Sequence, residues 1–170
     1  SSVTVSPEKW KSYLKYKIQG FLKKEDIDFF NIVKFWFIAL EGDQSIDFEF
    51  VYSSPLVSIL VSNLLKFQDL KSKEIVNAII SILQTLSVLT SFDAPQTLFF
   101  STPELLQAYG KLLLRENDTI VKLVLIIFEQ LLYKDPELLS FLYSIKLNES
   151  LANNFLLSEN DEISSVSIFL

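Results

Sequence analysis

Three stretches of the chain place hydrogen-bonding side chains at matching positions in otherwise apolar surroundings. Ile32-Val33-Lys34 is followed seven residues after the lysine by Glu41, Ile75-Val76-Asn77 at the same distance by Gln84, and Ile120-Val121-Lys122 by Glu129. The chemistry open to these types is recognition. An amide offers donors and an acceptor together and so can grip the backbone of an extended peptide. A Lys–Glu pair can select charged side chains on a partner. The pattern returns after 43 and then 45 residues. Positions seven apart lie two turns up one helix face, so each helix keeps a narrow polar edge at an equivalent place. That edge is either a binding ladder or the wet side any amphipathic helix leaves in water, and both readings require it to be exposed.

Catalysis has little to work with. The 170 residues include no His and no Cys, so there is no imidazole base, no thiolate nucleophile and no nitrogen or sulfur metal site. The densest acidic group, Glu41, Asp43, Asp47 and Glu49, lacks the alternate ligand spacing and twelfth-position Glu of a calcium loop. It reads as a solvated acidic loop. The three glycines, at positions 20, 42 and 110, stand alone and form no phosphate-binding loop. The expectation is a protein that is not an enzyme, with no cofactor and no metal.

A second constellation lies in the first helix. Residues 1–24 hold six lysines against one acid, while the whole chain carries a formal charge of −6. With its apolar stripe turned inward, Lys9, Tyr13, Lys17 and Lys24 fall on the far side, with Tyr16 nearby. Aromatics interleaved with lysines can sit at a lipid headgroup layer or stack on bases. The simpler reading is a solvated end helix whose lysines keep a terminal repeat soluble. The acidic body repels phosphate backbones and argues against nucleic acid as a partner.

These side chains need helices to hold them, and the helix starts are marked. Ser6-Pro7, Ser54-Pro55, Thr102-Pro103 and Asp135-Pro136 each pair a capping residue with proline. The cap oxygen accepts from a free first-turn amide, and proline fits where no N–H is needed. The predicted helices are Pro7 to Leu22, Asp26 to Leu40, Pro55 to Phe67, Lys73 to Leu89, Pro103 to Arg115, Thr119 to Tyr133 and Pro136 to Lys146, with a weaker eighth from Glu149 to Leu157. Trp10, Leu14, Ile18 and Phe21 form one apolar stripe along the first. Gly42 is predicted to end the second in a left-handed cap. Residues 43–52 alternate and are expected to be extended, and Phe92 to Ser101 to be a loop. The uncharged run Ile75 to Phe92 has the length of a membrane span. Its Asn, Gln, Ser and Thr residues are too many to leave unpaired in hydrocarbon, so it reads as a buried helix.

Proline spacings of 48, 48 and 33 residues, each Pro-led helix followed by a longer apolar one, give a pattern that resembles the armadillo/HEAT class of α-solenoids. The resemblance covers about residues 7–146. It implies an all-α, right-handed α-solenoid of three to four degenerate repeats, with seven to nine helices, whose inner helices line a groove for a partner peptide or helix. The expected function is thus a non-catalytic protein-interaction scaffold or adaptor. Its candidate ladder is Lys34, Glu41, Asn77, Gln84, Lys122 and Glu129. The alternative is a peripheral membrane or nucleic-acid docking module acting through Lys9, Tyr13, Tyr16, Lys17 and Lys24. Residues 1–157 are expected to form one domain and 158–170 an acidic, Ser-rich linker or the start of a further repeat. The segment 161–170 can add as a strand to a partner's sheet or begin another helix. The absence of methionine suggests a piece of a longer protein, and the polar, Lys-rich start suggests a cytoplasmic or nuclear location.

Overall fold

The computed structural model describes residues 7–93 and 95–140. All regular structure among them is helical: α1 (Pro7–Lys23), α2 (Asp28–Asp43), α3 (Phe48–Ser53), α4 (Leu56–Phe67), α5 (Lys73–Ser91), a 3-10 helix (Pro95–Ser101), α6 (Pro103–Leu113) and α7 (Asp118–Lys134). Most starts are capped as their sequences require. Asp47, Ser72, Thr102 and Asn117 each accept the amide three residues on, and Pro103 follows the Thr102 cap. Ser54 Oγ accepts from Leu56 N at 3.3 Å. Asp135 Oδ1 accepts from Glu137 N, opening a turn that leads towards residue 141. The Ser6 cap, most of the helix predicted from Pro136, the Glu149–Leu157 helix and everything after it lie outside the described residues.

Two local expectations are corrected. α2 does not stop at a left-handed Gly42. It runs through Asp43, and Gln44 takes the left-handed conformation (φ 53°, ψ 37°). Gln44 N bonds Glu41 O, and Ser45 N bonds Leu40 O, so two otherwise orphaned carbonyls are satisfied by the closing turn. Residues 43–52 are not extended throughout either, because Asp47 caps α3. One helical turn there buries Val51 completely and lays Phe48 against Tyr52 and Phe92. The alternation of Ile46, Phe48 and Phe50 mimicked a strand over too few residues to decide the matter.

The core is one continuous apolar cluster. The α1 stripe is buried as predicted, and Phe29, Phe30, Val33, Phe37 and Leu40 bury one side of α2. α5 lies at the centre, with its broadest contacts to α2 on one flank and α7 on the other. It is long and apolar enough to cross a membrane by length and composition alone, yet just over half of that stretch is buried inside the protein. α1, α4 and α6 pack on the helices α2, α5 and α7 respectively, and α4 also meets α6. The row α2–α5–α7 runs parallel. Glu41 at the end of α2 bonds Ser91 at the end of α5, and Thr90 there meets Gln130 near the end of α7. Helices in such a row point one edge of each the same way.

Candidate functional site

Between α2 and α5 the row opens into a cleft of about 380 Å³, lined from α2 by Asp28, Asn31 and Lys34 and from α5 by Glu74, Asn77, Ser81 and Gln84, with Ile27, Ala78 and Ile80 as its apolar surface. Three of the six ladder residues, Lys34, Asn77 and Gln84, thus meet in one place. Spacing explains the α5 wall, since positions 74, 77, 81 and 84 recur at three and four residues and share one helix face. Among the described residues, none of these seven polar side chains has a hydrogen-bond or ion-pair partner. The Lys34 ammonium lies 3.9 Å from the ring centroid of Phe35, an exposed aromatic.

Ser81 is the informative member. Only 5% of it is exposed. Buried hydroxyls further along α5 turn back onto the helix: Thr85 Oγ1 donates to Ser81 O at 3.0 Å and Thr90 Oγ1 to Leu86 O at 2.9 Å. Ser81 makes no such bond among the described residues and opens on the cleft instead. The side-chain atoms sealed from solvent without a partner among the described residues are Trp10 Nε1 and Tyr52 OH; the Ser81 hydroxyl is not one of them, so it is reachable from the cleft and open to a ligand.

The other ladder residues are placed differently. Half-buried Glu41 accepts from Ser91 Oγ at 3.1 Å, which closes the far end of the α2–α5 seam. Exposed Glu129 lines a second hollow, of about 580 Å³, beside Thr90, Gln130, Tyr133 and Lys134. Lys122 on α7 is half-buried and engaged in an interaction of its own. The polar edge is therefore exposed at Asn77 and Glu129 and half-exposed at Lys34, Glu41, Gln84 and Lys122. Its sequence register is also not its spatial register. Glu41 meets a residue 50 positions on where the recurrence pairs it with Gln84, 43 positions on, a difference of seven residues or about two helical turns.

The second hollow is already satisfied by the protein. Lys134 Nζ donates to Thr90 O and, at 2.5 Å, to Phe92 O. It thereby closes the C-terminal end of α5, where carbonyls lack helical partners. Burial lowers the Lys134 pKa, and the Asp93 charge opposes that shift. Thr90 and Gln130 bond across the same seam.

The basic face of α1 is divided. Lys9, Tyr13, Tyr16 and Lys24 are exposed. Tyr13 is 37% exposed and also stacks on Trp36 of α2 with centroids 4.9 Å apart, while half-buried Lys17 places its Nζ 5.4 Å from the Tyr13 ring. Lys11 and Lys15 flank Phe50, and Lys11 pairs with Asp47 at 2.5 Å. The acidic loop is thus partly structural. Asp47 is held below the usual carboxylate range, first by the Lys11 hydrogen bond and then by the Phe50 amide.

Asp28, Asn31, Glu74 and Ser81 complete the cleft and were not singled out from the sequence. Extending the face of Asn77 and Gln84 backwards and forwards by three or four residues finds Glu74 and Ser81, and the same step from Lys34 finds Asn31. No family model, curated protein or solved structure matches this chain.

Proposed function

We propose that this chain is a non-catalytic protein-interaction domain that docks a segment of another protein on the α2–α5–α7 row. Its helix pairs α1–α2, α4–α5 and α6–α7 would be successive armadillo/HEAT-like units of an α-solenoid. The observation that carries the reading is the convergence of Lys34, Asn77 and Gln84, with Asn31 and the buried Ser81, on one cleft whose polar groups have no partners among the described residues. Surface amides in water are ordinary; a cleft that gathers several of them around the Ser81 hydroxyl is suited to a ligand with its own donors and acceptors. Exposed Phe35 and Ile38 on α2 beside it add the apolar area such docking needs. The parallel packing of the row keeps the cleft preformed, so little ordering is required on this side of the complex. Of the basic-face alternative, Lys9, Tyr13, Tyr16 and Lys24 are exposed and Lys17 is half-buried beside Tyr13, so that face is the competing reading the experiment must separate.

The test is site-specific photo-crosslinking in extract from the source cells. A photoreactive amino acid at position 77 is expected to capture a discrete partner that is lost when Lys34→Glu and Gln84→Ala are added. The same group at position 16 on α1 should not capture it. Adducts at 16 but not at 77, or adducts at 77 indifferent to both substitutions, overturn the proposal.

A further inference from the structure

The charge layout of the cleft specifies its occupant more narrowly, an inference that rests on the docking reading above. Its carboxylates, Asp28 and Glu74, stand in the first turns of two parallel helices, so both lie at one end. Its one cation, Lys34, stands six residues further along α2, a rise of about 9 Å. Its remaining polar side chains, Asn31, Asn77, Ser81 and Gln84, are neutral donors and acceptors, set beside the apolar Ile27, Ala78 and Ile80. Lys34 has no carboxylate partner among the described residues, and neither do Asp28 and Glu74 have a cation. The cleft is therefore a dipole with unpaired ends and amides along its walls.

We infer that it binds an extended peptide bearing a basic and an acidic side chain three residues apart, the basic one at the Asp28/Glu74 end and the acidic one on Lys34. The spacing follows from backbone geometry. A polyproline II strand returns to the same face every third residue after about 9 Å, and its backbone N–H and C=O groups are free. Those free groups are what Asn31, Asn77 and Gln84 can meet. A helical occupant meets its own backbone groups internally and leaves the amides and Ser81 unanswered.

The experiment titrates acetylated, amidated peptides into isotope-labelled protein and follows backbone and side-chain amide resonances. The probe is Ala-Pro-Lys-Ala-Pro-Glu-Pro-Ala, with doubly basic and doubly acidic versions made by changing its Glu to Lys or its Lys to Glu. The mixed-charge peptide is expected to shift the side-chain amides of Asn31, Asn77 and Gln84 and to bind about fivefold more tightly than either like-charge version, as two partly exposed ion pairs allow. In Lys34→Glu protein the ranking inverts and the doubly basic peptide binds best. Equal binding of all three peptides, a ranking unchanged by Lys34→Glu, or no shift at the cleft amides overturns the inference. The docking reading is judged separately: if the partner crosslinked at position 77 is still lost on Lys34→Glu while the peptides fail, docking stands and the dipolar occupant falls.

Discussion

α5 has two polar flanks, and they are used in opposite ways. Against α7, Thr90 reaches Gln130 and the Lys134 amine closes two carbonyls at the helix end. Against α2, the seam is tied only at Glu41–Ser91 and then opens into a cleft whose seven polar side chains have no partners among the described residues. Both flanks rest on the same apolar wall of fully buried Ile79, Ile82, Leu83 and Leu86, so packing alone does not separate them. What separates them is whether each hydrogen-bonding group is answered from within the chain. Groups answered within the fold should carry stability, and unanswered ones should carry binding.

The shared wall sets the scale. Leu83→Ala removes a completely buried side chain from the middle of α5 and is expected to lower unfolding free energy by about 3 kcal/mol, read by urea denaturation. It should damage both flanks together. A loss confined to one seam in amide hydrogen exchange would mean that α5 is not a common wall.

Two lysines in the row then give the direct contrast. Lys134→Met leaves two carbonyls unanswered at the end of α5, and the expected loss is about 1–2 kcal/mol, the lower part of the charged hydrogen-bond range because the site is only half-buried. Lys34→Met removes a cation with no partner but an aromatic face, so stability should change by less than about 0.5 kcal/mol while crosslinking at position 77 fails. If the two substitutions destabilise equally, the division of labour between the flanks is wrong.

What the sequence revealed follows the same line. Proline-led caps and 3.6-residue stripes are local, so the helices at α1, α4, α5, α6 and α7 were legible to within a few residues. Lys34, Asn77 and Gln84 were visible as a recurrence, but their meeting in one cleft depends on how far α2 slides along α5. That register is set by packing between distant residues such as Glu41 and Ser91, not by any local signal. The end of α2 was misread because glycine is the usual left-handed residue, and here it stands two positions before the one that adopts that conformation. The error has a measurable sign. Gly42 is helical with open space around it, so Gly42→Ala should raise stability by about 0.5–1 kcal/mol, whereas a left-handed Gly42 would make the same change destabilising.

The smallest effect expected comes from a polar contact that is answered but wet. Asp47 caps α3 through Phe50 N and pairs with Lys11, yet its side chain remains 38% exposed, so screening by water and salt limits what the pair contributes. Its pKa is lowered in the folded state, so the folded protein favours the carboxylate. The resulting stabilisation is present above the ordinary aspartate range near 3.9 and is lost as pH falls through the depressed folded value. Asp47→Asn should therefore show a shallower loss of stability than wild type as pH is lowered below about 4, and added salt should shrink the difference at neutral pH. If instead Asp47→Asn destabilises as much as Lys134→Met, exposure does not set the worth of an answered group. The contrast between the flanks of α5 would then need a cause other than partnership and burial.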